Sequence, residues 1–155
     1  MNPMNKTLIA TALATATTAA VGALATRSGS RWYRRLSKPS WQPPAQVFPL
    51  VWNPLYALIA YGGARALTSA DGAERDALTR TLAANLALNA AWPALFFRAR
   101  SPRLALTEII VLNASNLMLV RQARGAVGAG LLLVPYAAWT GFATALNASI
   151  ARKNS

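Results

Sequence analysis

Cysteine and histidine are both missing from this chain of 155 residues. That removes disulfides, thiol nucleophiles, imidazole metal ligands and Ser-His catalysis together. Acidic residues are nearly missing too: four Asp and Glu stand against sixteen Lys and Arg. No nucleophile-base pair and no metal-binding cluster is visible, so ordinary hydrolytic or metal catalysis is not expected. Charge of either sign is sparse, at 13% of residues against 54% hydrophobic. Small basic chains are usually nucleic-acid binders or membrane proteins with basic loops. A nucleic-acid domain would carry its cations on one face beside a mixed core. Here they cluster between apolar stretches of roughly 18–25 residues, the length that spans a bilayer. A membrane protein is therefore expected, and nucleic acid is not an expected partner.

The apolar stretches cover about 7–26, 46–66, 78–97, 103–120 and 125–150. No strand-like alternation points to a barrel. The expected fold is an all-α bundle of five transmembrane helices in a single domain, since a closed bundle satisfies every backbone group in lipid. The first stretch also admits a signal-peptide reading, with Ala23-Leu24-Ala25 as a cleavage site. A signal peptide wants its positive charge in front of the apolar run. Only Lys6 precedes this one, while Arg27, Arg31, Arg34, Arg35 and Lys38 follow it. Ten Lys and Arg fall on the side holding segment 27–45, Arg98, Arg100, Arg103, Arg152 and Lys153, against six on the other. The positive-inside rule then places segment 27–45 and the C-terminus in the cytoplasm. A bacterial cell membrane is the expected location, with an outer membrane as the alternative.

Segment 32–56 is dense in Trp, Tyr and Pro. Pro39, Pro43 and Pro44 predict a stiff, non-helical loop, because proline fixes φ and removes a donor. With Tyr33, Lys38 and Trp41 they make a candidate lid over 27–45. Trp52 and Tyr56 follow, four apart on one helix face. An interfacial aromatic belt and the wall of a ligand pocket both account for that pair. In the third stretch, Asn89 and Trp92 share a face. Asn89 is costly in lipid without a partner, and either an interhelical bond or a ligand would supply one. Ala83, Ala87 and Ala91 recur every four residues, a spacing that lets helices approach closely. Glu108 is the one acid within a later span, open to a functional role or to an ion pair with a nearby Arg. Asn113, Ser115 and Asn116 should face protein rather than lipid. In the last stretch Tyr136, Trp139 and Ala143 form a stripe, and Pro135 is expected to bend the helix. Ordinary packing and a flat ligand both fit that stripe.

These motifs run in order: Trp32-Tyr33, Lys38-Pro39, Trp41, Pro43-Pro44, Trp52, Leu55-Tyr56, Asn89, Trp92, Phe96-Phe97, an acid at Glu108, then Pro135-Tyr136, Trp139, Phe142-Ala143 and Leu146-Asn147. The series resembles the translocator protein family, also called tryptophan-rich sensory proteins or peripheral benzodiazepine receptors, and in particular its bacterial members. The resemblance covers nearly the whole chain. It implies a five-helix bundle that often forms homodimers. It also implies a pocket under the first loop that takes porphyrins, sterols such as cholesterol in animals, and isoquinoline or benzodiazepine-type drugs. By position, the implied ligand-binding residues are Trp52, Tyr56, Asn89, Trp92, Trp139 and Ala143. Some bacterial relatives promote light-dependent breakdown of protoporphyrin, which would give Trp52 and Trp139 a photo-oxidation role. No resident cofactor is implied. Two departures stand out: Ser149 replaces the Tyr of the animal cholesterol pattern, and Asn113-Ala114 stands where relatives are usually apolar or carry Trp.

A tetrapyrrole suits such a pocket, because its flat apolar ring matches Trp and Tyr faces. Arg31, Arg34, Arg35 and Lys38 would meet its carboxylates, although membrane lipid headgroups would satisfy the same cations. Binding or sensing, porphyrin degradation, and regulation of other membrane proteins are the competing functions. No inverted repeat or ion site suggests a transporter mechanism.

Overall fold

A computed structural model describes all residues, 1–155. The chain is all-helical: α1 (Pro3–Ala25), α2 (Arg31–Arg35), α3 (Val47–Ser69), α4 (Gly72–Pro93), α5 (Pro102–Gln122) and α6 (Ala129–Lys153). Five of these six helices are 21–25 residues long, and α2 has only 5. Segment 27–45 is thus not wholly irregular. The Ser30 side chain accepts from the Tyr33 N–H and caps α2, which the proline-based expectation did not include. Beyond it, Pro39, Pro43 and Pro44 all lie outside any helix, as expected.

The helix ends follow local chemistry. α1 begins earlier than the apolar run because Asn2 caps it, its Oδ1 accepting from Asn5 N–H at 2.7 Å. The third apolar stretch divides into α4, which starts before that stretch, and a π-helical turn at Ala94–Arg98. Pro93 lacks an N–H and so favours such an irregularity. α6 continues through Pro135 and starts after Gly128, whose φ of +75° needs glycine.

The five long helices pack in a ring, α1 against α3, α3 against α6, α6 against α5, α5 against α4 and α4 back against α1. Gly62 lets α3 close on α6, since a Cβ there would come within 3.2 Å of Leu132. Inside the ring, an apolar core that includes Leu55, Ile59, Leu82, Leu86, Leu119 and Leu133 is interleaved with polar side chains. Thr11, Thr15, Thr18, Asn85, Asn89, Asn116, Thr140 and Asn147 are all buried. Outside, large apolar side chains are exposed, among them Leu13 at 65%, Leu50 at 72%, Leu117 at 57% and Leu131 at 76%. Water does not tolerate apolar surface on this scale, whereas lipid does. Three helices, α1, α5 extended to Gly125, and α6, are long and apolar enough to cross a membrane. α3 and α4 match them in length, but α4 opens with Glu74-Arg75-Asp76 and α3 carries Asn53 and Arg65.

Candidate functional site: a lidded aromatic cavity

A cavity of about 460 Å³ opens between the long helices and the α1–α3 connection. All six candidate ligand residues, Trp52, Tyr56, Asn89, Trp92, Trp139 and Ala143, line it. The helical period explains why: each pair sits three or four residues apart, on a face turned into the ring. The Trp52 and Tyr56 rings stack at 5.3 Å between centroids and 28° between planes. Because both rings line the cavity, they are not simply a lipid-facing belt. On the α4 side, Trp92 stacks on Phe96 at 4.8 Å, and its indole N–H donates to Asn147 Oδ1 at 2.9 Å. Asn147 in turn donates to the Pro102 carbonyl at 2.9 Å, which ties the start of α5 to the wall. Trp139 meets Phe48 edge-on at 6.0 Å and Phe142 at 5.2 Å. Its Nε1 is buried without a partner.

Below the aromatic walls lies a polar network that joins α4, α5 and α6. Asn89 Nδ2 donates to Tyr136 Oη at 2.8 Å, and Tyr136 Oη donates to Asn85 Oδ1 at 2.9 Å. Asn85 Nδ2 reaches Asn116 Oδ1 at 2.6 Å and Ser115 Oγ at 2.7 Å. Asn116 Nδ2 then donates to Thr140 Oγ1 at 2.7 Å. Asn89 therefore has an interhelical partner while also lining the cavity. Asn113 donates to Thr144 of α6 at 2.5 Å. Asn113, Ser115 and Asn116 thus all face protein, as expected. For Glu108, only the ion-pair half of the expectation fails. Both of its carboxylate oxygens are buried with no hydrogen-bond partner, so the ion pair with an Arg does not form.

The lid folds over the cavity through α2. Trp32 meets Phe96 edge-on at 5.7 Å, and Tyr33 meets Phe97 at 5.3 Å. Of the six lid residues singled out, Tyr33 alone lines the cavity. Trp41 is 48% exposed and packs edge-on against Phe142 at 5.8 Å. Pro39 is buried, while Pro43 and Pro44 stiffen the descent to α3 without reaching the cavity. Lys38 is turned inward, which corrects its expected place at the mouth. Its ammonium donates to the Tyr33 and Leu36 carbonyls at 2.6 and 3.2 Å and lies 4.4 Å from the centre of the Tyr33 ring. That burial lowers its pKa. Arg31, Arg34 and Arg35 remain exposed.

Several lining residues were not singled out from sequence: Phe48, Gln42, Leu112, Thr140 and Asn147. Asn147 carried a signal, as a polar residue one turn beyond Ala143. Gln42 carried none, because a loop has no periodicity to read.

A ring of long helices with an apolar exterior and a lidded aromatic cavity defines an integral membrane protein with internal room for a small molecule. Residues 9–152 match the TspO/MBR family, and the chain belongs to that family. It is 37% identical to the translocator protein of Homo sapiens over 129 residues, covering 81% of this chain and 76% of the relative. It is 35% identical to the tryptophan-rich protein TspO of Chlorobaculum tepidum over 157 residues, covering 97% and 99%. It is likewise 35% identical to the tryptophan-rich sensory protein of Cereibacter sphaeroides over 143 residues, covering 88% and 87%.

Proposed function

We propose that this protein binds tetrapyrroles such as protoporphyrin IX in the lidded cavity and acts as a sensor or carrier for them. The observation that carries the proposal is the cavity itself. At about 460 Å³ it falls within the range of about 300–1,000 Å³ usual for small-molecule sites. Its walls offer indole and phenol faces from three sides: Trp52 and Tyr56 on α3, Trp92 on α4, and Trp139 on α6. Stacking on such faces suits a flat conjugated ring. Exposed Arg31, Arg34 and Arg35 on the lid suit the propionate carboxylates. In this proposal all five long helices cross the membrane, with the lid on the cytoplasmic side of a bacterial cell membrane. Isoquinoline and benzodiazepine-type ligands would use the same walls. Cholesterol fits the chain less well, because Ser149 stands where the animal pattern has Tyr and is itself buried.

The decisive experiment is titration of the purified protein with protoporphyrin IX, haem and cholesterol, followed by tryptophan fluorescence. Saturable quenching by the two tetrapyrroles, abolished by Trp52→Ala with Trp139→Ala, is the expected result. Binding of cholesterol alone would overturn the proposal.

The placement of Trp52 and Trp139 on the walls of one cavity supports a second reading. An indole beside a photoexcited porphyrin can give it an electron, with dioxygen as the final oxidant. Loss of bound protoporphyrin in light but not in darkness would establish light-dependent degradation; equal loss in both would exclude the photochemical route, and no loss in either would leave binding alone.

A further inference from the structure

We propose that Asn154 is the latch that holds the lid closed over the cavity. The proposal rests on residues 27–45 being a lid over a ligand site, and it adds the element that controls access.

The lid's attachment to the bundle is lopsided. Ring contacts from Trp32, Tyr33 and Trp41 are apolar and add no hydrogen bond to the bundle. The Lys38 and Gln42 side chains make their hydrogen bonds within the lid, on Tyr33 and Leu36. Proline supplies no donor at positions 39, 43 and 44. Apart from the first turn of α3, which continues from it, the lid makes hydrogen bonds to the helices at one place. There the Asn154 side chain, at the end of α6, embraces the backbone of Ser37. Ser37 N–H donates to Asn154 Oδ1 at 2.9 Å, and Asn154 Nδ2 donates to the Ser37 carbonyl at 2.9 Å. The amide thus satisfies one residue's backbone as a neighbouring strand would. Asn154 Nδ2 also donates to the Ile150 carbonyl at 2.7 Å, which fixes the side chain to the helix it terminates. The tie joins residues 117 positions apart. Both residues are exposed, so water competes for the bonds and the latch can open without unfolding the core. Basic residues flank both sides in sequence, Arg34, Arg35 and Lys38 on the lid and Arg152 and Lys153 on α6, so the amide pair and the lid's aromatic packing act against like charge.

The chain has no cysteine, so a single introduced thiol reports access without background. Ala143→Cys places that thiol in the cavity wall, and its rate of modification by a methanethiosulfonate reagent reads lid opening with no ligand present. Adding Asn154→Ala, or the apolar near-isostere Asn154→Leu, should speed modification about 5- to 10-fold, the scale of losing one or two exposed hydrogen bonds. The thiol of Ala105→Cys, at a fully buried position, should stay unreactive in the same backgrounds. Protoporphyrin association and dissociation should both quicken, with a much smaller change in affinity. An unchanged rate for the Ala143→Cys thiol in both Asn154 variants would overturn the latch. So would faster modification at position 105 as well, which would mean general loosening. Should the unmutated protein bind no protoporphyrin, the ligand assignment fails, while the thiol rates still decide the latch.

Discussion

At the scale of single residues, the cavity divides into side chains that stack and side chains that hold the stackers in place. Trp52 belongs to the first group. Its replacement by Ala removes an indole face worth roughly 1–3 kcal/mol, a loss of about 5- to 150-fold in affinity for protoporphyrin. Trp52→Phe should lose less, because part of the stack survives. Equilibrium titration of the folded variants checks the order; equal affinities for Trp52→Ala, Trp139→Ala and the unmutated protein would assign these rings to packing. Tyr136 belongs to the second group. Its hydroxyl accepts from Asn89 and donates to Asn85, and all three residues are buried. Tyr136→Phe leaves both amides short of a partner, at a cost of about 1–3 kcal/mol each at most. A clear drop in thermal midpoint in mild detergent is expected, larger than that of Tyr56→Phe. Glu108 loses its ion-pair reading but keeps its functional one, since neither carboxylate oxygen finds a partner.

At the scale of elements, the long helices bury leucines such as Leu55, Leu82, Leu86, Leu119 and Leu133 beside polar and aromatic side chains, while α1, α3, α5 and α6 also turn large aliphatic groups outward. α4 adds a special outer face. Ala83 and Ala87 are exposed and Ala91 half-buried, so the small-residue ridge points out of the ring. A second copy packed on this ridge would form the homodimer that we propose for the protein. Ala87→Leu should then shift the protein towards monomer in mild detergent, read by cross-linking and elution volume. An unchanged pattern would move the interface to another helix. The lid is the remaining element, and its short α2 arises from local capping by Ser30 rather than from hydrophobic periodicity.

At the scale of the whole molecule, the ring closes on itself while charge is segregated along its axis. Ten cations flank the lid end and six the other, where three of the four acids also lie. A membrane bearing anionic lipid on its cytoplasmic leaflet would retain the lid end on that side. A C-terminal fluorescent fusion should therefore be bright and a C-terminal alkaline phosphatase fusion inactive. Phosphatase activity at that end would reverse the orientation.

Sequence alone determined the membrane class, the approximate course of the long helices, and that Trp52 shares a face with Tyr56, Asn89 with Trp92, and Trp139 with Ala143; the family resemblance, not the spacing, pointed those faces at a pocket. The reason is local: composition sets the solvent, and a period of 3.6 residues sets which side chains share a face. Tertiary structure decided the rest. Helical spacing says nothing of which helix stands opposite, so the partners of Asn85, Tyr136 and Asn147 appear only once α4, α5 and α6 are packed. Lys38 read as a free cation until the fold of the lid turned its ammonium onto carbonyls of its own segment. The tie between Ser37 and Asn154 depends on the ring closing, because only then does the end of α6 come beside a loop that follows α1.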